Sequence, residues 1–211
     1  SNVLRLKEGD SLYLLDGKGK KFIGSIISLD RKRKYVEINV LECVEDVLRK
    51  KPDISLFCAV PKGDKFFYIV QKATELGVYR IVPLITEYQQ KIPSNNSRFL
   101  ERARLISIQA LEQSRGEFLP CIEGVKKLEE CLKAPSSGVR VLFDPSCGKH
   151  LKEEISSLLE EDNIEFFIGP EGGFSPEEIK LAKDNNVKIV SVPEYSCLLY
   201  TSDAADEGLG V

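Results

Sequence analysis

The stretch that decides the fold joins an apolar run to a helix start through a glycine-rich loop: Ile168-Gly169-Pro170-Glu171-Gly172-Gly173-Phe174-Ser175-Pro176-Glu177-Glu178-Ile179. The apolar residues 164–168 predict a buried strand. Ser175, Pro176 and the two acids after them predict a helix with a serine N-cap. Because glycine permits positive φ and close backbone approach, such a loop suits a nucleotide-like ligand. An ordinary glycine-rich turn between a strand and a helix would show the same residue spacing. The glycine pattern matches neither the Rossmann dinucleotide-binding fingerprint nor the P-loop motif.

Around this loop, strands alternate with helices from about residue 54. We expect strands at 54–60, 80–85, 140–144, 164–168 and 187–192, and helices at 64–76, 96–113, 150–160 and 176–185. This alternation predicts a largely parallel, doubly wound α/β sheet. Ligands bind such sheets outside the carboxyl ends of the strands, so Phe143 and Asp144 are expected to line the same pocket as the loop.

The first 50 residues have a different sequence pattern, typical of a small β domain. Short β-branched or aromatic runs at 12–15, 22–27 and 35–40 are separated by charged turns, which predicts hairpins. Residues 1–35 carry nine Lys and Arg against four Asp and Glu. Basic turns of this kind contact phosphates, or are simply solvated hairpin tips; the two interpretations have similar weight. The candidate RNA-binding residues are Arg5, Lys7, Arg31, Lys32, Arg33 and Lys34.

Composition limits the class of protein. The chain is 42% hydrophobic and 30% charged, which suffices for a packed core, and no apolar run approaches membrane-spanning length. Six scattered cysteines without a C-x-x-C pair indicate buried thiols in a reducing cytoplasm. His150 is the one histidine, which argues against His-based triads and multi-His metal sites. We therefore expect a cytoplasmic protein without membrane or metal partners.

Both ends of the chain are unusual. There is no Met, and the sequence opens inside an apparent strand, so we expect a missing N-terminus. Residues 197–207 resemble a translated sequencing adapter, and segments of this kind are excluded from fold reasoning. The native chain is then expected to stop near Ser196, leaving 197–211 as a non-native tail. The alternative is a genuine C-terminal helix.

Several segments together resemble one family, the RsmE-type 16S ribosomal RNA uridine methyltransferases of the trefoil-knotted SPOUT superfamily. The resemblance runs in order from residue 2 to about 192. Its motifs are Asn2-Val3-Leu4-Arg5-Leu6-Lys7-Glu8-Gly9-Asp10, Pro61-Lys62-Gly63-Asp64-Lys65 with Gln71-Lys72-Ala73-Thr74-Glu75-Leu76-Gly77-Val78, Ala110-Leu111-Glu112-Gln113-Ser114-Arg115 with Leu119-Pro120, and the glycine-rich loop.

The resemblance implies a fold and an activity. The fold is a PUA-like β-barrel at 1–50 followed by a knotted parallel-sheet methyltransferase domain at 54–196. The activity is methylation of N3 of a single uridine in 16S ribosomal RNA, with S-adenosylmethionine as the donor and a homodimer as the assembly. Alternatives are a SPOUT enzyme acting on transfer RNA and a non-catalytic RNA-binding protein.

The resemblance also assigns candidate residues. The cofactor would lie against Phe143, Asp144, Ile168, Gly169, Pro170, Glu171, Gly172 and Gly173. Glu112, Gln113 and Arg115 are the catalytic candidates nearest the RNA, with solvation of a helix end as the equal alternative. For Glu171, capping of the following helix is favoured over catalysis.

The chain departs from the family after residue 192. The family continues with a Leu-Gly-x-Arg-Ile-Leu-Arg-x-Glu-Thr-Ala segment that closes the knot, whereas here Pro193-Glu194-Tyr195-Ser196 leads into the adapter-like tail. We therefore expect this polypeptide to bind S-adenosylmethionine more weakly than one carrying the family segment.

Overall fold

The computed structural model describes residues 6–30, 35–89, 96–136, 138–146 and 149–192. The elements in these ranges are β1 Ser11–Leu15, β2 Lys20–Asp30, β3 Tyr35–Asp46, β4 Asp53–Ala59, α1 Lys65–Glu75, β5 Arg80–Ile85, α2 Asn96–Ser114, β6 Cys121–Ile122, β7 Lys126–Lys127, α3 Leu128–Lys133, β8 Val139–Phe143, α4 Leu151–Leu158, β9 Asn163–Ile168, α5 Pro176–Asp184 and β10 Lys188–Val190.

The N-terminal strands form an antiparallel sheet in the order β1-β2-β3. Leu14 pairs with Phe22, and Phe22 pairs in turn with Cys43. The predicted hairpins are confirmed, although β3 extends to Asp46. Register shifts between β2 and β3 bend this pair of strands.

The remaining strands form a parallel sheet in the order β10-β8-β9-β4-β5-β6, with β7 also paired to β5. The predicted α/β sheet is therefore confirmed. Parallel strands all end on the same side, which we call the carboxyl edge; the strands begin at the opposite amino edge. The short elements β6, β7 and α3 were not predicted from the sequence.

Both faces of the parallel sheet are covered, as expected for a doubly wound fold. Leu56 and Phe57, consecutive in β4, point to opposite faces and into different clusters of buried side chains. Phe57 stacks on Phe167 of β9 with ring centroids 4.5 Å apart, on the face covered by α3 and α5. Phe66 of α1 is fully buried on the other face. The sheet is thus fixed from both sides.

The antiparallel sheet contacts the parallel sheet through the turn between β1 and β2. The amide of Gly19 donates to the carbonyl of Glu117 (3.1 Å), and the amide of Leu119 donates to the carbonyl of Gly17 (2.8 Å). Gly19 has φ +103°, and a Cβ there would lie 2.3 Å from the carbonyl oxygen of Val47, so glycine is required. These bonds fix the turn against the segment that follows α2.

A charged network ties the strands together at the amino edge. Glu165 of β9 is 8% exposed and accepts hydrogen bonds from Arg80 Nη2 and Arg140 Nε, both at 2.9 Å. Arg80 also donates to Ser55 Oγ at 3.1 Å, and Arg140 donates to the carbonyl of Leu132 at 2.7 Å. Side chains from β4, β5, β8 and β9 are thereby joined, which indicates a structural role for this edge.

Several sequence-based expectations fall outside the described residues: Arg5, Arg31–Lys34 and the tail 193–211. The trefoil knot depends on that last segment and stays a prediction. Among the residues that the structure does describe, no helix is both long and apolar enough to cross a membrane.

Candidate functional site

The candidate cofactor residues from β8 and β9 lie side by side at the carboxyl edge. Phe143 pairs with Ile168 in the β8–β9 ladder, and Ile168 pairs with Cys58 on its other side. Phe143 packs against Phe166 with ring centroids 5.4 Å apart, whereas the side chain of Ile168 is 39% exposed. The two strand ends therefore present apolar surface beside the start of the glycine-rich loop.

The glycine-rich loop, residues 169–174, is anchored at both ends. It leaves β9 at Ile168 and closes a turn in which the amide of Gly173 donates to the carbonyl of Pro170 at 2.9 Å. At the start of α5, Ser175 Oγ accepts from the amide of Glu178 (3.2 Å) while Glu178 Oε2 accepts from the amide of Ser175 (2.9 Å). This capping box confirms the predicted helix start. The loop is thus a defined structure between two fixed ends.

The loop is packed at its first glycine and open at its last two. A Cβ on Gly169 would lie 3.1 Å from the ring of Phe174, which is a tight contact. A Cβ on Gly172 would meet Tyr88 at 3.5 Å, an ordinary contact distance. At Gly173, where φ is +72°, a Cβ would meet no heavy atom within 4 Å. The backbone at 172–173 is therefore accessible to a ligand at close range.

Asp144, the other candidate from β8, shapes the loop that follows this strand. The side chain is 7% exposed, and its Oδ1 accepts from the amide of Ser146 (2.7 Å) and from Ser146 Oγ (2.5 Å). The amide of Asp144 donates to the carbonyl of Val190 in β10 at 2.9 Å. These bonds hold the end of β8 beside the end of β10, so Asp144 positions this part of the edge.

Glu171 is the exposed carboxylate of the loop. Its Oε1 lies 3.6 Å from Nζ of Lys65, at the start of α1, with both side chains more than one-third exposed. The capping role expected for Glu171 is taken by Ser175 and Glu178. Burial raises the pKa of the nearby Cys58 thiol to about 12, and the charge of Glu171 adds to the rise. Cys58 is thus a protonated, buried thiol at neutral pH and not a nucleophile.

The structure places the three catalytic candidates away from this loop. Glu112, Gln113 and Arg115 are exposed at the end of α2. The chain then passes into β6, where Cys121 pairs with Arg80 at the amino edge. α2 is about 28 Å long, and its end leads into β6 at this edge. Within one chain, these residues and the glycine-rich loop are not brought together, and their catalytic role stays a prediction.

Arg115 has an unusual backbone conformation. Its φ of 54° is in the left-handed region, which glycine normally occupies at a helix end. The amide of Gly116 donates to the carbonyl of Leu111 (3.0 Å), and that of Arg115 donates to the carbonyl of Glu112 (3.4 Å). These bonds terminate α2, so the backbone of Arg115 has a structural role whatever its side chain does.

Of the candidate RNA-binding residues, Lys7 is the one within the described ranges. It is exposed, in a turn where its amide donates to Oδ2 of Asp10 at 2.8 Å. Further along the same unit, Lys20 and Lys21 lie near Asp46 and Glu45. Exposed pairs of this kind are screened and weak, so these ammonium groups remain available to phosphates.

Two further segments of the carboxyl edge were not identified from the sequence. Lys65 follows the end of β4, and the turn at 86–89 follows β5 and reaches the loop through Tyr88. The signal was present, since ligands of parallel sheets bind outside the carboxyl ends of the strands and both segments follow such ends. Within the described ranges there is no group of three or more His, Cys, Asp or Glu side chains suited to a metal ion.

Comparison with known proteins matches two parts of the chain to two protein families. Residues 49–195 match the family described as RNA methyltransferase domain, and residues 2–39 match the RNA methyltransferase PUA domain. The first match covers the whole parallel sheet with its helices. The second covers most of the antiparallel unit.

Individual relatives agree with these matches. Ribosomal RNA small subunit methyltransferase E of Rickettsia conorii is 33% identical over 90% of this chain and 75% of its own length. The solved structure of ribosomal RNA small subunit methyltransferase E from Neisseria gonorrhoeae bound to S-adenosylmethionine has 28% identity and a TM-score of 0.77, covering 90% of this chain and 78% of that one. A methyltransferase of Legionella pneumophila, solved with the bound cofactor, has 28% identity and a TM-score of 0.81, covering 99% and 88%. The chain therefore belongs to the ribosomal RNA small subunit methyltransferase E family of RNA methyltransferases.

Proposed function

We propose that this chain binds S-adenosylmethionine at the glycine-rich loop and transfers its methyl group to N3 of a uridine in 16S ribosomal RNA. The observation that carries the proposal is the open backbone at Gly172 and Gly173, at the carboxyl edge of a parallel sheet. Family membership supports the reaction class. The solved relatives with bound S-adenosylmethionine support the donor.

The residues present fit the proposed cofactor. Amide and carbonyl groups of residues 168–173 would hold the adenosine, with apolar surface from Ile168 and Phe143 beside them. Asp144 would act indirectly, since its carboxylate already fixes the loop after β8. The positive φ at Gly173 favours glycine, and the absence of a side chain leaves the space next to its Cα open. When bound, S-adenosylmethionine supplies an electrophilic methyl group on a sulfonium cation.

The chain's own part in the chemistry is positioning and proton removal. Holding the uridine in line with the methyl group removes much of the entropic cost of the transfer. The N3 proton must also leave, which a carboxylate can accept and a cation can favour by stabilising the uridine anion. Glu171 and Lys65 supply both kinds of group, 3.6 Å apart beside the loop.

A catalytic role for Glu112, Gln113 and Arg115 adds a requirement. One chain keeps them at the amino edge, so they can act only if a second copy brings the end of its α2 to the carboxyl edge of the first. The proposal therefore includes a homodimer. The cytoplasmic location of the protein stays a prediction.

Substitutions in the loop test the cofactor site. Gly172→Ala places a methyl group at an ordinary distance from Tyr88, so the ligand-free protein should fold normally. The methyl group should instead obstruct the ligand. We expect calorimetric affinity for S-adenosylhomocysteine to fall at least about tenfold, equivalent to 1.4 kcal/mol. Gly124→Ala is the matched control, because Gly124 is exposed and its added Cβ meets nothing within 4 Å. Equal affinities for the two variants would exclude the loop as the site.

The substrate is tested by transfer of a labelled methyl group to unmodified small ribosomal subunits and to transfer RNA. Label in 16S RNA supports the proposal. Label in transfer RNA alone would assign the chain to the alternative enzyme class. Absence of both cofactor binding and label would favour an RNA-binding protein without catalytic activity.

A further inference from the structure

The hydroxyl of Thr86, the first residue after β5, has no hydrogen-bond partner among the described residues although the residue is only 6% exposed. In the part of the chain that the structure describes, Asp53 Oδ1 is the other buried side-chain atom without a hydrogen bond, but it lies 2.9 Å from Nε of Arg49, so its charge is compensated. Burying a hydroxyl without a partner costs free energy. Thr86 therefore requires an explanation.

Every other buried Ser or Thr in the described ranges has a partner. Thr74 Oγ1, for example, donates to the carbonyl of Val70 at 2.7 Å. The remaining members of this set also form hydrogen bonds: Ser55, Ser107, Ser175 and Ser191. Valine has nearly the shape of threonine and would fill the position of Thr86 without a polar atom. The fold alone thus gives no reason for a hydroxyl at this position.

Thr86 lies in a turn that docks on the glycine-rich loop. Its own backbone is satisfied, since its amide donates to Gln89 Oε1 and its carbonyl accepts from the amide of Gln89, both at 3.3 Å. The next amide, of Glu87, donates to Glu178 Oε1 at 2.9 Å, in the capping box of α5. Tyr88 lies against Gly172. Thus the unpaired hydroxyl belongs to a segment held against both the open part of the loop and its far end.

We propose that the Thr86 hydroxyl is a hydrogen-bonding contact for a nucleoside bound at the carboxyl edge. This inference rests on the proposed function and adds a contact residue to that site. A hydroxyl both donates and accepts, which suits the uncharged carbonyl, amino and ribose hydroxyl groups of a nucleoside. Two nucleosides meet there in the proposed reaction: the adenosine of the cofactor and the uridine of the RNA.

Because the hydroxyl is buried, contact with a ligand requires a shift of the turn at 86–89. Tyr88, the exposed side chain of that turn, is 47% exposed and belongs to none of the buried clusters. Its neighbour Gly172 has no side chain to resist the shift. Movement of the turn therefore breaks the Glu87–Glu178 bond but leaves the buried clusters intact.

The experiment compares Thr86→Val, Thr86→Ser and Thr74→Val with the wild-type full chain. For each we would measure the urea midpoint without ligand, the affinity for S-adenosylhomocysteine and kcat/KM on small-subunit RNA. Thr86→Val should be at least as stable as wild type, because it removes an unpaired polar atom. One binding readout should fall by about fivefold, as expected for one neutral hydrogen bond. Thr86→Ser should retain wild-type values, and Thr74→Val should leave both binding readouts unchanged.

The two sources of nucleoside are separated by which readout falls. Reduced affinity for S-adenosylhomocysteine with Thr86→Val would identify the adenosine. Unchanged affinity with reduced kcat/KM would identify the uridine. If Thr86→Val matches a wild-type chain that binds and methylates, this inference is overturned while the proposed function stands. A wild-type chain that does neither overturns both.

Discussion

Replacing Glu165 by glutamine tests whether the amino edge of the parallel sheet is held by charge. Glu165 is 8% exposed and accepts bonds of 2.9 Å from both Arg80 and Arg140. Hydrogen bonds to charged groups contribute about 1.5–3 kcal/mol each, against about 0.5–1.5 for neutral ones. Glutamine keeps the size but removes the charge, and its amide nitrogen cannot accept from an arginine, so one bond is lost and the other weakens. We expect Glu165→Gln to lose at least about 2 kcal/mol of stability.

For a chain of this size, that loss corresponds to a melting temperature lowered by roughly 4–8 °C. Thermal unfolding followed by circular dichroism would measure it. Asp64→Asn is the matched control: Asp64 accepts two bonds from Arg102, at 2.7 and 3.0 Å, but the side chains are 73% and 53% exposed. Solvent screening should keep the shift of that control within about 2 °C.

Equal shifts for the two variants would mean that burial makes no difference to the strength of a charged pair, contrary to this prediction. The same variants also test the division between the two edges. Glu165→Gln should retain wild-type affinity for S-adenosylhomocysteine at a temperature where it is folded. Loss of affinity in the folded variant would show that the amino edge takes part in ligand binding.

Three further predictions concern other parts of the chain. Hydrogen bonds from Lys149 and Lys188 hold the pKa of Glu154 at about 2, below its ordinary 4.5. These bonds therefore stabilise the folded protein fully above about pH 4.5, and the stabilisation is lost as the pH falls through about 2. The gap in urea midpoint between wild type and Glu154→Gln should therefore shrink between pH 5 and pH 2, and a constant gap would contradict this assignment. Arg115 is a non-glycine residue with a left-handed backbone conformation, so Arg115→Gly should raise the free energy of unfolding by about 0.5–1 kcal/mol in chemical denaturation. Methylation should fall in the same variant if the Arg115 side chain has its proposed catalytic role. Charge reversal at residues 31–34 should weaken RNA binding and flatten its salt dependence in filter-binding assays; unchanged affinity and slope would indicate a solvated turn.

Local signals in the sequence were sufficient for the elements that position the site. Ser175, Pro176 and Glu178 specify the start of α5 within four residues, and the structure contains the capping box that they predict. Gly77 terminates α1 in the same way, with φ +78° and its amide bonded to the carbonyl of Thr74. The apolar runs that became β4, β5 and β9 are long enough to be distinguished from loops.

Other features depend on the path of the chain in three dimensions. The strands β6 and β7 have two residues each, too few to produce a periodic pattern. The distance of Arg115 from the glycine-rich loop follows from the direction of α2 relative to the sheet, which its own sequence does not specify. The unpaired hydroxyl of Thr86 became visible only once its surroundings were known, because threonine at the end of a strand is ordinary.

Nucleoside analysis would show whether this chain methylates N3 of a uridine in small-subunit RNA. Small subunits carrying unmodified 16S RNA would be incubated with the chain and deuterated S-adenosylmethionine, with Gly172→Ala as the control. The RNA would then be digested and analysed by mass spectrometry. We expect deuterated 3-methyluridine with the wild-type chain and much less with Gly172→Ala. A deuterated methyl group on another base or another position, or equal amounts from both proteins, would contradict it.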